Sequence, residues 1–136
     1  MNGDKLIVAL DVSSLAEAEK IVKDLSPIVK TFKVGKELFT SAGPSVVEMV
    51  HSHKARVFLD LKFHDIPNTV AAACQAAARL KVFMLNVHAL GGKNMLTGAV
   101  EAVRKIAKTE KLTPPVLLAV TVLTSMSDAD LNEVGI

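Results

Sequence analysis

Residues 56–62 read RVFLDLK and run directly into DLKFHDIPNT at 60–69. Val57, Leu59 and Leu61 alternate with Phe58, Asp60 and Lys62. In a strand, residues two apart share a face. One face is therefore wholly apolar, while the other ends in an acid and a base, with Asp65 three residues further on. A core strand whose last residues are charged needs a reason, because an unpaired charge removed from water costs several kcal/mol.

The same design recurs along the chain. Apolar runs lie at 5–11 (KLIVALD), 31–35 (TFKVG), 56–62, 82–88 (VFMLNVH) and 115–123 (PVLLAVTVL). Their near-continuous hydrophobicity is that of parallel strands buried on both faces. On period two, Ile7, Ala9 and Asp11 share a face, as do Thr31, Lys33 and Gly35, and Met84, Asn86 and His88. Asp11, Lys33, Asp60 and Lys62 then converge at the ends of three successive strands. Acid alternating with base would keep all four ionised. The plainer alternative is a set of ordinary ion pairs at a sheet rim, with lysine stems snorkelling over apolar surface.

Helical patterns separate the runs. Ser14 is a candidate N-cap for a helix whose stripe is Leu15, Ala18, Ile21, Val22 and Leu25, ended by Pro27. GPSVVEMVHSH gives a short second helix with Pro44 near its start. Residues 67–79 give an Ala-rich third. GGKNMLTGAVEAVRKIAK gives a fourth, with Met95, Ala99, Val103 and Ile106 on one side, and a fifth begins after Ser127. Pro114-Pro115 delays the last strand. Strict β–α alternation predicts right-handed βαβ units around a parallel sheet. A doubly wound sheet would usually carry a Gly-rich phosphate loop after its first strand, and ALDVSS has no such pattern. A (β/α)8 TIM barrel gathers polar residues at the C-terminal ends of several strands. The chain is therefore expected to be a single domain over 1–136, a partial barrel of about five parallel strands.

Composition limits the functions available. The 136 residues are half hydrophobic, with no Trp or Tyr, so the core is aliphatic. Net charge is +2 with the basic residues scattered, and mean hydropathy is +0.37. Neither a nucleic-acid surface nor a membrane span is expected, since no run approaches about twenty apolar residues. The N-terminal apolar run is too short for a signal peptide. Cys74, the one cysteine, sits in AAACQAAA and reads as a small core residue of a reducing, cytoplasmic setting. His51 and His53 read as helix-end residues and His64 as a structural hydrogen-bonder. His88 is placed to touch a ligand or to order Asp60 and Lys62. A metal site at His64, Asp65 and His88 matches no tight ligand spacing. Gly91-Gly92 reads as loop entry into a helix, with anion binding by its backbone as the alternative.

DLKFHDIPNT, with ALD closing the first strand and FKVGKELF forming the second, resembles the orotidine 5′-phosphate decarboxylase family. NVHALGG and LLAVTVLTSM extend the likeness over essentially the whole chain. The resemblance implies a TIM barrel acting as a homodimer without metal or cofactor, turning orotidine 5′-monophosphate into UMP and CO2 in pyrimidine biosynthesis. It implies that Lys62 donates a proton to C6 and that Asp60 lies beside the departing carboxylate. Asp65 would cross into the neighbouring subunit's site, as would Thr69, a ribose contact. Lys33 and Asp11 would bind ribose hydroxyls and complete the array, and Thr124 would touch the pyrimidine. Family members need eight βα units, so the phosphate-gripping elements are expected to be missing and the isolated chain weakly active or inactive. A keto-sugar-phosphate lyase using Mg2+ at Glu37 is one alternative. A catalytically inert fragment serving as an assembly module is the other.

Overall fold

The computed structural model describes residues 3–136. In chain order it contains β1 (Ile7–Ala9), α1 (Leu15–Leu25), β2 (Thr31–Gly35), α2 (Lys36–Ala42), α3 (Ser45–Ser52), β3 (Arg56–Phe63), α4 (Pro67–Arg79), β4 (Met84–His88), α5 (Gly92–Glu110), β5 (Val116–Val120) and α6 (Asp128–Glu133). All neighbouring strands are parallel, and the order across the sheet is the order along the chain. Each new strand is added on the same side, with no reversal. That is barrel winding, whereas a doubly wound sheet reverses direction at its switch point. Among the described residues, no helix is long and apolar enough to cross a membrane.

The core lies between the sheet and the helices. Leu10, Phe32, Val34, Val57, Leu59, Leu85 and Val87 are almost wholly buried on the helix-facing side. They meet Val22 of α1, Leu38 of α2, Val46, Val47 and Val50 of α3, Val70 and Cys74 of α4, and Met95, Ala99 and Val103 of α5. Burying one such aliphatic side chain contributes about 1.5–3 kcal/mol, so this single interface is the main source of stability. The expectation of strands buried on both faces is corrected here. On the inner side Ile7 is 46% exposed, Val116 44% and Leu118 38%. Five twisted strands do not close on themselves, and the concave face of the described sheet is open.

The helices form largely where their caps predict. Ser14 Oγ accepts from the Glu17 N–H at 3.3 Å and donates to the Glu17 carboxylate at 2.9 Å. Ser127 makes the corresponding capping box with Asp130, and the hydrogen bonds hold the Asp130 carboxyl below its usual range. Pro67 opens α4, where its missing N–H costs nothing; Pro44 caps α3 from outside.

One helix, α2, was not expected, and several strand ends differ from expectation. The outer strands are short: β1 covers only Ile7–Ala9 of the 5–11 run, and β5 only Val116–Val120 of the 115–123 run. FKVGKELF is not one strand, since β2 ends at Gly35 and KELF begins α2. Gly35 caps α2 with no side-chain bond, so the start carried no polar signal; Gly43, at φ +63°, ends it.

Candidate active site

The C-terminal ends of β1, β2 and β3 bring four charges into one line. Lys33 Nζ lies 3.4 Å from Asp11 Oδ1 and 3.5 Å from Asp60 Oδ2. Lys62 Nζ donates to Asp60 Oδ1 at 2.6 Å. The sequence Asp11–Lys33–Asp60–Lys62 alternates in sign as the strand faces predict. Asp11 is its exposed end, with the side chain 71% exposed, and Asp60 its most buried member at 11%. Burial opposes ionisation of Asp60. Hydrogen bonds from Lys62 and Asn86, together with the ammonium charges of Lys62 and Lys33, outweigh it and hold the carboxyl below its usual range.

Lys62 does not sit in a regular strand. Its φ is +51°, left-handed for a side chain that rarely adopts it. Leu59 pairs with Leu85, but Phe63 pairs with Val87, so Asp60, Leu61 and Lys62 lie opposite the single residue Asn86. Such bulges re-aim side chains at sites. Asn86, 3% exposed, fills the gap: its Oδ1 accepts from the Lys62 N–H at 2.8 Å and its Nδ2 donates to Asp60 Oδ1 at 2.6 Å. Sequence reading put Asn86 on the inner face but gave it no role. The available signal was an uncharged amide flanked by core residues Leu85 and Val87.

A cleft of about 210 Å3 opens over the array, lined by Asp11, Lys33, Lys36, Glu37, Asp60 and Lys62. Ligand sites usually span about 300–1,000 Å3, so a nucleotide would need further walls. A larger cleft, about 610 Å3, lies at the other end of the strands around Arg56, Phe83 and Lys111. Size does not make it the reactive site. Its Glu110 is held by Arg79 at 2.9 Å, and its Arg56 by Thr31 at 3.1 Å and by stacking on Phe83 at 4.2 Å.

Among the described residues, no hydrogen bond or ion pair joins the remaining candidates to the array. Asp65 is exposed and accepts from the Ile66 N–H at 2.6 Å; Thr69 is exposed on α4 and Thr124 in the turn after β5. His88 meets His64 in a tilted ring contact, with centroids 5.4 Å apart. Burial, then the charges of His64, Lys36 and Lys62, lower its pKa. Among the described residues, Asn86 rather than His88 is the β4 side chain that orders Asp60 and Lys62. His53 faces Glu19 at 3.7 Å, and burial beside Lys81 lowers the pKa of His51. Cys74 is buried, its thiol pushed up to about 11. Gly91 caps α5 and Gly92, at φ +79°, begins it. Glu37 accepts from Ser13 Oγ at 3.0 Å. No three His, Cys, Asp or Glu side chains among the described residues gather as metal ligands.

Comparison with known proteins gives this geometry a family. A sequence model described as Orotidine 5′-phosphate decarboxylase / HUMPS family matches residues 4–135. The chain is 58% identical over 132 residues to orotidine 5′-phosphate decarboxylase of Syntrophotalea carbinolica, covering 97% of this chain and 54% of that protein. Identity to the Moorella thermoacetica protein of the same name is 59% over 134 residues, covering 98% and 53%. Among solved structures, orotidine 5′-phosphate decarboxylase from Lactobacillus acidophilus superposes with a TM-score of 0.84 at 40% identity, over 96% of this chain and 59% of that one. The Pyrococcus horikoshii OT3 structure, at 22% identity, TM-score 0.69 and coverage of 84% and 50%, shares the fold. The chain spans about half the length of the relatives it matches, and its five strands correspond to part of their TIM barrel. On these matches, the chain belongs to the orotidine 5′-phosphate decarboxylase / HUMPS family.

Proposed function

We propose that this chain carries the charged reaction centre of an orotidine 5′-monophosphate decarboxylase, a carboxy-lyase of pyrimidine biosynthesis. The observation that carries the reading is the alternating line Asp11–Lys33–Asp60–Lys62 at the C-terminal ends of adjacent parallel strands. In the reaction the bond from C6 to the carboxylate breaks, CO2 leaves, and the electron pair stays on C6. A fixed ammonium beside that carbon stabilises charge only as it develops, which lowers the barrier rather than merely tightening binding. Lys62 is that ammonium and then gives C6 a proton, yielding UMP. Asp60 keeps Lys62 oriented and faces the departing carboxylate. Lys33 and Asp11 hold the ribose hydroxyls and the far end of the array.

Asp65 and Thr69 are assigned across a homodimer, where each would enter the neighbouring site; their exposure in one chain is compatible with that role. Thr124 is assigned to the pyrimidine. No metal or cofactor is invoked. We place the activity in the cytoplasm, where Cys74 stays reduced. Because the cleft is small and the relatives are about twice as long, the chain alone is assigned weak activity or none.

The test is CO2 release from orotidine 5′-monophosphate, with the chain alone and mixed with the separately produced C-terminal half of a close relative. Release that depends on Lys62 supports the reading. No release from a well-folded mixture favours the inert assembly module. A second enzymatic reading, a Mg2+-dependent keto-sugar-phosphate lyase, draws on Glu37 lining the same cleft as Asp11 and Asp60. Loss of activity on adding chelator would favour it.

A further inference from the structure

We propose that Asn86 is a positioning residue: its carboxamide spans the β3 bulge, locks the Lys62 backbone in its left-handed conformation and so holds the Lys62 ammonium against Asp60. Only what Lys62 then does to a substrate rests on the decarboxylase reading.

The bulge creates two needs at one point. With Asp60, Leu61 and Lys62 facing Asn86 alone, the Lys62 N–H leaves the regular ladder and requires an acceptor in a buried place. The Asp60 carboxylate, turned to the same spot, can only accept and requires a donor. A side chain that serves both must offer an acceptor and a donor on one rigid plane. Asparagine does; of the residues of similar size, ionised Asp offers no donor and Leu offers neither. The chemistry also fixes which way the amide points, since the Lys62 N–H must meet Oδ1 and the carboxylate must meet Nδ2, as observed at 2.8 and 2.6 Å. Asp60 Oδ1 is thereby shared between Asn86 and Lys62, while Oδ2 faces Lys33. Without the amide, only the Asp60 bond on its ammonium offsets the intrinsic preference of a lysine at φ +51° for ordinary strand geometry. Relaxation would swing its ammonium away from Asp60.

Amide hydrogen exchange and carboxyl titration of the isotope-labelled chain decide the matter. In Asn86→Ala the Lys62 amide should exchange about tenfold faster or more, with the outer-face amides of β3 at Val57 and Leu59 unchanged. The Asp60 carboxyl should titrate at higher pH than in wild type. In Asn86→Asp, where an acceptor remains, Lys62 protection should persist while the Asp60 titration still rises. Unchanged exchange at Lys62 in Asn86→Ala overturns the proposal.

A stability cycle covers the case in which Asn86→Ala folds poorly. Lys62→Gly keeps the N–H that Asn86 accepts and removes the other donor to Asp60 Oδ1, so Asn86→Ala should reduce the folding constant several-fold more in a Lys62→Gly background than in wild type. An equal loss in both backgrounds would make Asn86 ordinary packing and overturn the proposal. Where wild type releases CO2, Asn86→Ala should lower kcat about 100-fold with KM changed less than threefold. Absence of wild-type turnover in the mixture with the C-terminal half would count against the decarboxylase reading alone, with exchange and the cycle still judging Asn86.

Discussion

Four lysines in this chain have left-handed backbones, and they divide between the two ends of the sheet. Lys54, Lys81 and Lys111 have φ of +57°, +57° and +54°. Each comes one or two residues after the end of α3, α4 or α5 and precedes an apolar residue: Ala55, Val82 or Leu112. They are helix stops. Lys54 N–H bonds to His51 O at 2.9 Å and Ala55 N–H to Val50 O at 3.4 Å, the paired bonds of a Schellman turn. Leu112 N–H closes on Ala107 O at 2.9 Å in the same way. Lys62, at the opposite end, stops nothing. Its conformation is held by side chains, Asn86 on the backbone and Asp60 on the ammonium. One residue type in one backbone conformation thus serves two purposes. At the helix ends the backbone does the work and the side chain is incidental. In the bulge the side chain is the purpose and the backbone is bent to deliver it.

Replacing each lysine by glycine separates the two cases most sharply. Lys62→Gly relieves the backbone but removes the ammonium, and should reduce decarboxylation by about a thousandfold or more, measured as CO2 release in the complemented assay. Retention within tenfold would erase the distinction between the two ends. Next in size, Asp60→Asn leaves Lys33 and Lys62 without their shared carboxylate. It should lower stability by about 2 kcal/mol, discounted from the cost at a fully buried pair because part of the network reaches solvent. Denaturant unfolding measures it.

The pH dependence of that difference sharpens it further. Asp60 is held below its ordinary value of 3.8 in the folded chain. The unfolded state therefore binds the proton first, and the contribution of Asp60 is fully present at neutral pH. It should decline as the pH falls below about 4 and vanish once the carboxyl is protonated in both states. Melting temperatures of wild type and Asp60→Asn should converge in acid; a constant gap down to pH 2 would contradict the shift. The smallest effects belong to the helix ends. Lys54→Gly, Lys81→Gly and Lys111→Gly should each raise stability by up to about 1 kcal/mol and leave activity alone. A loss of stability at two of the three would mean that these lysines do more than close a turn.

How much of this could be read from the sequence follows the same division. Period two in RVFLDLK, with like patterns in the first two strands, was sufficient to bring Asp11, Lys33 and Asp60 to one end of the sheet. Charge at the end of an apolar run is a strong signal because it is costly to misplace. The bulge was not legible. Lys62 sits in phase with Asp60 on a regular strand, and nothing in LDLKF marks the left-handed residue, since glycine is the usual flag and is absent. Asn86 escaped for a related reason: a buried amide announces itself only through partners, and its partners come from another strand. The start of α2 was missed because Gly35 supplies no capping side chain, although Leu38 and Ala42 stand four apart as on one helix face. The exposed inner face was invisible to pattern alone, because Ile7, Val116 and Leu118 look like any interior aliphatic residue.

The strand order has a bearing on how the molecule is made. Because β1 to β5 stand side by side in the order they are written, each strand emerging from the ribosome finds its partner already present in the strand before it. Within the described sheet no strand waits for a distant segment, so loop closure stays short at each of these steps and the entropy lost per added unit is modest. The charged line is assembled on the same schedule: Lys33 can meet Asp11 as soon as β2 docks, and Asp60 and Lys62 arrive with β3. The last piece is Asn86, so the bulge that aims Lys62 can be pinned only when β4 has been laid down.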